Sequence, residues 1–153
     1  MSELIKLPSM ICFRVTRFCN ARCGFCLAPP DGGIHPPASL LKERIDWLLE
    51  RGVKTIHFCG GEPTIHRELS ALIDYVHHRN GKSKLTTNGI SLPDNLVDAL
   101  HLAKTQVKVS LHGPQEHHNE VVGCNAFDKT TATVRRLVAA GISTSVQTTI
   151  VAS

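Results

Sequence analysis

Cys19, Cys23 and Cys26 lie within eight residues, in the segment Cys19-Asn20-Ala21-Arg22-Cys23-Gly24-Phe25-Cys26. Thiolates spaced in this way can wrap a soft metal centre. A structural zinc site takes four ligands, and so does an electron-transfer [4Fe-4S] cluster. Only three cysteines are close in this chain. A cubane held by three of them leaves one iron without a protein ligand, and that iron can bind a substrate or cofactor. The competing reading is a zinc knuckle completed by His35 or Cys12. The other cysteines, Cys12, Cys59 and Cys124, are scattered, and this distribution argues against a disulfide scaffold. Cys59 and Cys124 read as small buried side chains, and Cys12 as packing on a strand. The pairs His77-His78 and His117-His118 lack the i, i+4 spacing of a helical metal site; they are expected at a helix end and on a loop.

Such a loop must be positioned by regular elements, and strand and helix patterns alternate along the chain. Met10 to Thr16 reads as a strand, with Ile11, Phe13 and Val15 alternating with Cys12, Arg14 and Thr16. The cysteine segment follows it directly and so sits at its carboxyl end, where parallel α/β folds place their chemistry. A Pro- and Gly-dense loop runs from Pro29 to Pro37. Ser39 can cap the next helix and Gly52 can end it. Strands are expected at Val53 to Cys59, Lys84 to Thr87, Gln106 to Leu111 and Ser143 to Val151. Helices are expected around Leu69–Val76, around Leu96–Ala103 and over Phe127 to Ala140. His112 to Ala126 reads as a long connection, with a surface excursion and a site-facing role both open. The order is βαβαβαβαβ, which implies a parallel sheet covered by helices. The fold class is therefore α/β, with about five βα units. A full eight-unit barrel needs about 250 residues, so the expected form is an open sheet or a partial barrel.

Composition narrows the function classes. The chain has 153 residues and a formal net charge of +4, which suits one domain. Hydrophobic residues make up 42% and charged residues 20%, which excludes a disordered chain. No apolar run is long enough to span a membrane. Nucleic acid is not indicated, because no Lys/Arg run or aromatic-basic interleaving is present. The N-terminus shows neither a long apolar stretch nor a small-residue cleavage site, and a cytoplasmic protein is expected.

The cysteine segment resembles the signature of the radical S-adenosylmethionine (radical SAM) superfamily, CxxxCxΦC, with Phe25 as the aromatic. Cys59-Gly60-Gly61-Glu62-Pro63-Thr64 resembles the family's GGEP segment. Thr86-Thr87-Asn88-Gly89 looks like its TNG turn, and Val109-Ser110-Leu111-His112-Gly113 is similar to its SLHG form. Gly123, Phe127 and Gly141-Ile142 also fall where many members have them. Each motif alone is weak; four in order, each at the end of a strand, are specific. The resemblance implies a partial (β/α) barrel of the radical SAM type, with residues 1–153 as a core domain lacking its sixth strand. It implies a [4Fe-4S] cluster on Cys19, Cys23 and Cys26, whose open iron binds S-adenosyl-L-methionine. Reductive cleavage then gives a 5′-deoxyadenosyl radical that takes hydrogen from a substrate. Phe25 would lie by the adenine. Gly60, Gly61 and Glu62, followed by Pro63, would receive the SAM ammonium, and Ser110 would bond ribose or carboxylate. Implied partners are an electron donor such as flavodoxin or ferredoxin and a polar small-molecule or peptide substrate. Several members place a basic residue where Cys124 stands, so that role is missing or moved. The family's reactions are diverse, and the motifs do not choose among them. The alternative is a non-catalytic iron-sulfur or zinc-binding module derived from the same fold.

One expectation comes from the residues themselves. If the apolar face of each strand packs on helices, the other face reads Cys12, Arg14, Thr16; Thr55, His57, Cys59; Lys108, Ser110, His112; and Ser145, Gln147, Thr149. Closed barrels fill this space with Val, Ile and Leu. Polar and cationic groups suit an open, wet lumen for a polar, even anionic, substrate. Alternatively, Arg14 and Lys108 lie at the barrel bottom and snorkel to water.

Overall fold

The strands alternate as the sequence pattern requires. In the computed structural model, which describes residues 7–27 and 35–150, β1 (Met10–Thr16), β2 (Thr55–Gly60), β3 (Lys82–Thr87), β4 (Gln106–Ser110) and β5 (Thr144–Gln147) form one sheet. Its strands run in the order β1-β2-β3-β4-β5, and every neighbouring pair is parallel. The helices between them are α1 (Ala38–Glu50), α2 (Leu69–His78), α3 (Asp94–Leu102), α4 (Gln115–Val122) and α5 (Phe127–Ala139). Doubly wound sheets reverse their strand order at a switch point. Here the order never reverses, so right-handed crossovers place the helices on one face. The result is a segment of a barrel wall rather than a two-sided open sheet.

Alternate strand residues Val15, Ile56, Phe58, Leu85, Val107 and Val109 are buried against helix residues that include Ile45, Leu72, Ile73, Leu100 and Leu137. Burying each such side chain contributes roughly 1.5–3 kcal/mol, so the helix-facing side carries the stability. The residues between them turn the other way. Cys12, Arg14, Lys108, Ser145 and Gln147 are exposed.

Several boundaries differ from the pattern-based expectation. Helix α1 starts at Ala38, with Pro37 rather than Ser39 at its cap position. The Ala38 N–H instead donates to Glu68 Oε2 at 3.3 Å, a carboxylate brought in by the tertiary fold. The expected connection from His112 to Ala126 contains α4, entered after Pro114 and ended by Gly123 in the left-handed region. His118 therefore lies buried on a helix rather than on a loop. Strand β5 stops at Gln147; the expected strand end at Val151 and most of the expected Pro29–Pro37 loop lie outside the described residues. No helix among the described residues is long and apolar enough to cross a membrane.

Candidate active site

The chain segments leaving β1, β2, β3 and β4 meet over one cavity of about 630 Å³, a size typical of small-molecule sites. Cys19, Cys23 and Cys26 line it from the β1 side, together with Phe25. Cys59, Gly60, Gly61 and Glu62 line it from β2, Thr86, Thr87 and Asn88 from β3, and Ser110 and His112 from β4. Of the residues expected to hold the cluster or S-adenosyl-L-methionine, Pro63 is the one that does not line the cavity. It is buried and opens a short 3-10 turn, Pro63–Ile65, behind it.

Close approach of two backbones sets the β2 side. Gly61 N–H donates to Thr16 O at 2.9 Å and Glu62 N–H to Phe18 O at 2.7 Å, which extends the β1–β2 pairing past the last strand residue. A Cβ at Gly61 would stand 2.1 Å from Phe18 O, and one at Gly60 would stand 2.4 Å from Thr16 O. Gly60 also has φ +151°, which side-chain-bearing residues rarely adopt. Only glycine fits either position.

Glu62 is 1% exposed and ties two turns together. Its Oε1 accepts from Thr64 N–H (3.0 Å), Thr64 Oγ1 (2.7 Å) and Thr87 Oγ1 (2.7 Å). Its Oε2 accepts from Asn88 N–H at 2.7 Å, which leaves that oxygen one lone pair. Burial pushes the Glu62 carboxyl above its ordinary range, against the pull of these donors. Asn88 carries the linkage on, since its Nδ2 donates to Asn20 Oδ1 at 2.8 Å and lies 3.9 Å from Cys19 Sγ. The β3 turn thus orients both Glu62 and the cysteine segment.

Helix α4 supports that segment from the far side. Arg22 N–H donates to Val122 O at 2.9 Å and Gly24 N–H to Val121 O at 3.3 Å. Ala21, Val122 and Ala126 form a small core of their own, on which Cys19, Cys23, Ile90 and Cys124 pack. The connection is therefore more than a surface excursion: its helix backs the cysteine segment through the Val121 and Val122 carbonyls. A sequence signal did exist: Pro114 at one end, Gly123 at the other, and His118, Val121 and Val122 at helical spacing between them. His112, which the strand pattern puts on the polar face with Lys108 and Ser110, is a further residue of the site. It is buried, meets Phe25 edge-on at 5.1 Å and stacks on His118 at 5.7 Å. Its Nδ1 accepts from Thr149 N–H at 3.1 Å, so Nε2 carries the ring proton when the imidazole is neutral.

The three thiols fit a metal centre in chemistry and placement. Burial pushes Cys23 up to about 11, with the Cys19 and Cys26 charges next in effect. Burial also raises Cys19, opposed by the Ala21 N–H and reinforced by Glu62 and Cys26. Mutual repulsion of this kind is relieved by a shared cation, and metal binding would release the thiol protons. The side chains surround the cavity without converging: among the described residues no three Cys, His, Asp or Glu side chains are arranged as a ligand set. Neither candidate for a fourth zinc ligand lines the cavity. His35 stacks on Phe18 at 4.6 Å. Cys12 is exposed on the concave face, 3.6 Å from His57 Nδ1, rather than packed in the core. Cys59 and Cys124 are only half-buried.

The radical SAM superfamily profile matches residues 13–152. Mycofactocin maturase MftC of Mycobacterium tuberculosis is 30% identical over 147 residues, covering 91% of this chain and 37% of the relative. A GTP 3′,8-cyclase of Haemophilus influenzae is 30% identical over 138 residues, covering 83% and 40% respectively. The chain therefore spans about two fifths of the length of these curated relatives. The fold is shared with Streptococcus suis SuiB bound to its precursor peptide SuiA, with a TM-score of 0.85 at 21% identity over 94% of this chain and 33% of SuiB. The chain belongs to the radical SAM superfamily.

Proposed function

We propose that this chain is the core domain of a radical SAM enzyme, with Cys19, Cys23 and Cys26 holding a [4Fe-4S] cluster and S-adenosyl-L-methionine filling the rest of the cavity. One observation carries the reading: the three thiols, the Gly60-Gly61-Glu62 turn and Ser110 line a single cavity at the carboxyl ends of four strands. Held by Cys19, Cys23 and Cys26, such a cluster would supply the one-electron reduction needed for reductive cleavage of SAM.

The residues of the chain divide the remaining tasks. Glu62 presents the open lone pair of Oε2 to the SAM ammonium, a charge-assisted bond. Thr64, Thr87 and Asn88 hold the carboxylate in place for it. Gly60 and Gly61 allow β1 and β2 to close up beneath the ligand, and Pro63 fixes the turn that follows. Phe25, held by the edge contact to His112, offers a face to the adenine. Ser110 donates to a ribose or carboxylate oxygen. A polar small molecule or peptide enters along the concave face, and a flavodoxin- or ferredoxin-type donor supplies the electron in a reducing cytoplasm.

The test is reductive cleavage. After anaerobic reconstitution and reduction with dithionite, the protein should release 5′-deoxyadenosine from SAM, and Cys23→Ala should abolish that release. Full iron loading without any 5′-deoxyadenosine would favour a non-catalytic iron-sulfur module on the same fold.

A further inference from the structure

Among the described residues no Asp or Glu lies on a strand. The strands do carry cations. Arg14, Lys84 and Lys108 alternate with the core residues Val15, Leu85, Val107 and Val109, so all three point to the concave face. Parallel register sets their heights. Arg14 stands beside Cys59, and Lys108 stands beside Thr86; Cys59 and Thr86 are themselves lining residues of the cavity. Lys84 sits one rung lower, beside His57. Arg14 and Lys108 are therefore just beneath the cavity floor and not at the bottom of the barrel wall.

Ion pairs form elsewhere: Arg79 with Asp46 and Glu50, and Arg136 with Asp94, all on the helical exterior. Among the described residues no acid reaches Arg14, Lys84 or Lys108. His57 stands between them, 2.7 Å from Thr86 Oγ1 through Nε2. Burial first, then the charges of Lys108 and Lys84, push His57 below its ordinary value, which agrees with both lysines facing it. β1 and β4 are three strand spacings apart, about 14 Å along the sheet, less across a concave surface. Long side chains from β1 and β4 can reach one ligand of metabolite size.

We propose that Arg14, Lys84 and Lys108 form an anion subsite beneath the cavity, with His57 and Thr86 as neutral hydrogen-bonding partners, and that it takes a phosphate or carboxylate group of the substrate. Among the described residues the concave strand positions carry these three cations, with Lys82 one rung below Lys84, and no acid, which focuses a positive potential into the lumen. An anionic group anchored at that depth leaves the rest of the molecule in the cavity above, facing the three cysteines. Assigning the anion to the substrate rests on the function proposed above; the anion site itself does not.

The test uses the 153-residue chain and two probes, inorganic tripolyphosphate and citrate, titrated calorimetrically at low salt. At least one should bind, and the tighter of the two identifies phosphate or carboxylate as the preferred group. Arg14→Gln and Lys108→Gln should each weaken binding by about tenfold to a hundredfold, the usual range for a lost charge-assisted bond. Lys108→Arg, which keeps the charge, should hold affinity within about threefold. Lys129→Gln, on the exposed side of α5, should change nothing. No binding of either probe, or equal binding by wild type and both Gln variants, overturns the subsite. Iron uptake with SAM cleavage but no charge dependence of anion binding removes the subsite and leaves the radical SAM reading intact. Charge-dependent anion binding in a protein that takes up no iron does the reverse.

Discussion

The two faces of the sheet are built from alternate residues of the same five strands, yet they differ in almost every physical respect. On the helix-facing side, Ile56, Phe58, Leu85 and Val109 are fully buried. On the concave side, Cys12, Arg14 and Lys108 are exposed, and the polar contacts run laterally from strand to strand, as from His57 to Cys12 and Thr86. The first face carries the apolar burial; the second leaves its polar groups open to the cavity. A closed barrel would fill both sides with apolar layers. Leaving one side polar costs apolar burial and creates room at the carboxyl ends of the strands, where the cysteine segment, the Gly60-Gly61-Glu62 turn and Asn88 converge.

Three substitutions test this division, and the largest effect is expected on the helix-facing side. Phe58→Ala removes a fully buried ring from the helix-facing side and should cost about 3–5 kcal/mol. Lys108→Gln on the opposite face should stay within about 0.5 kcal/mol. Urea unfolding of the two variants measures the contrast, and equal losses would break it. Gly61→Ala sits at the junction of the faces, where the new Cβ meets Phe18 O. Forcing the β1 and β2 ends apart should cost about 1–3 kcal/mol and should also lower iron retention, because the same backbone carries Cys19. A stable variant with normal iron retention would show that the close approach is not needed.

The smallest effect concerns His57. Cys12 from β1, Lys84 and Thr86 from β3 and Lys108 from β4 surround it. Its depressed pKa means that the unfolded chain binds more protons in the interval below the ordinary value of about 6.5. The stability gained from a neutral His57 is therefore full above that value and is lost as the pH falls toward the folded-state midpoint. A proton NMR titration should place that midpoint below the ordinary value, and Lys108→Gln should move it upward. An unchanged midpoint would mean that Lys108 does not bear on His57.

Much of this was legible in the sequence because alternation and punctuation are local signals. All five strands, and the helices α1, α2, α3 and α5, follow from apolar spacing and from stops such as Gly52. Cys19, Cys23, Cys26, Gly60, Gly61, Glu62 and Ser110 come together as their places at strand ends require. What stayed hidden depends on contacts distant in sequence. The capping of Ala38 by Glu68 cannot be inferred from Ser39. The half-polar α4 has a weak periodic signal, and its service to the cysteine segment runs through backbone carbonyls, which leave no trace in residue type. The four bonds that occupy Glu62 come from Thr64, Thr87 and Asn88. A motif names the carboxylate but not the partners that hold it.

The central claim is that three thiols in one cavity leave a cluster iron open to S-adenosyl-L-methionine. Electron paramagnetic resonance of the anaerobically reconstituted, dithionite-reduced protein, recorded with and without SAM and alongside an iron count, tests it most directly. The account predicts about four irons per chain and a reduced-cluster signal that changes on adding SAM. Stoichiometric zinc without iron uptake, or a cluster signal indifferent to SAM, would contradict it.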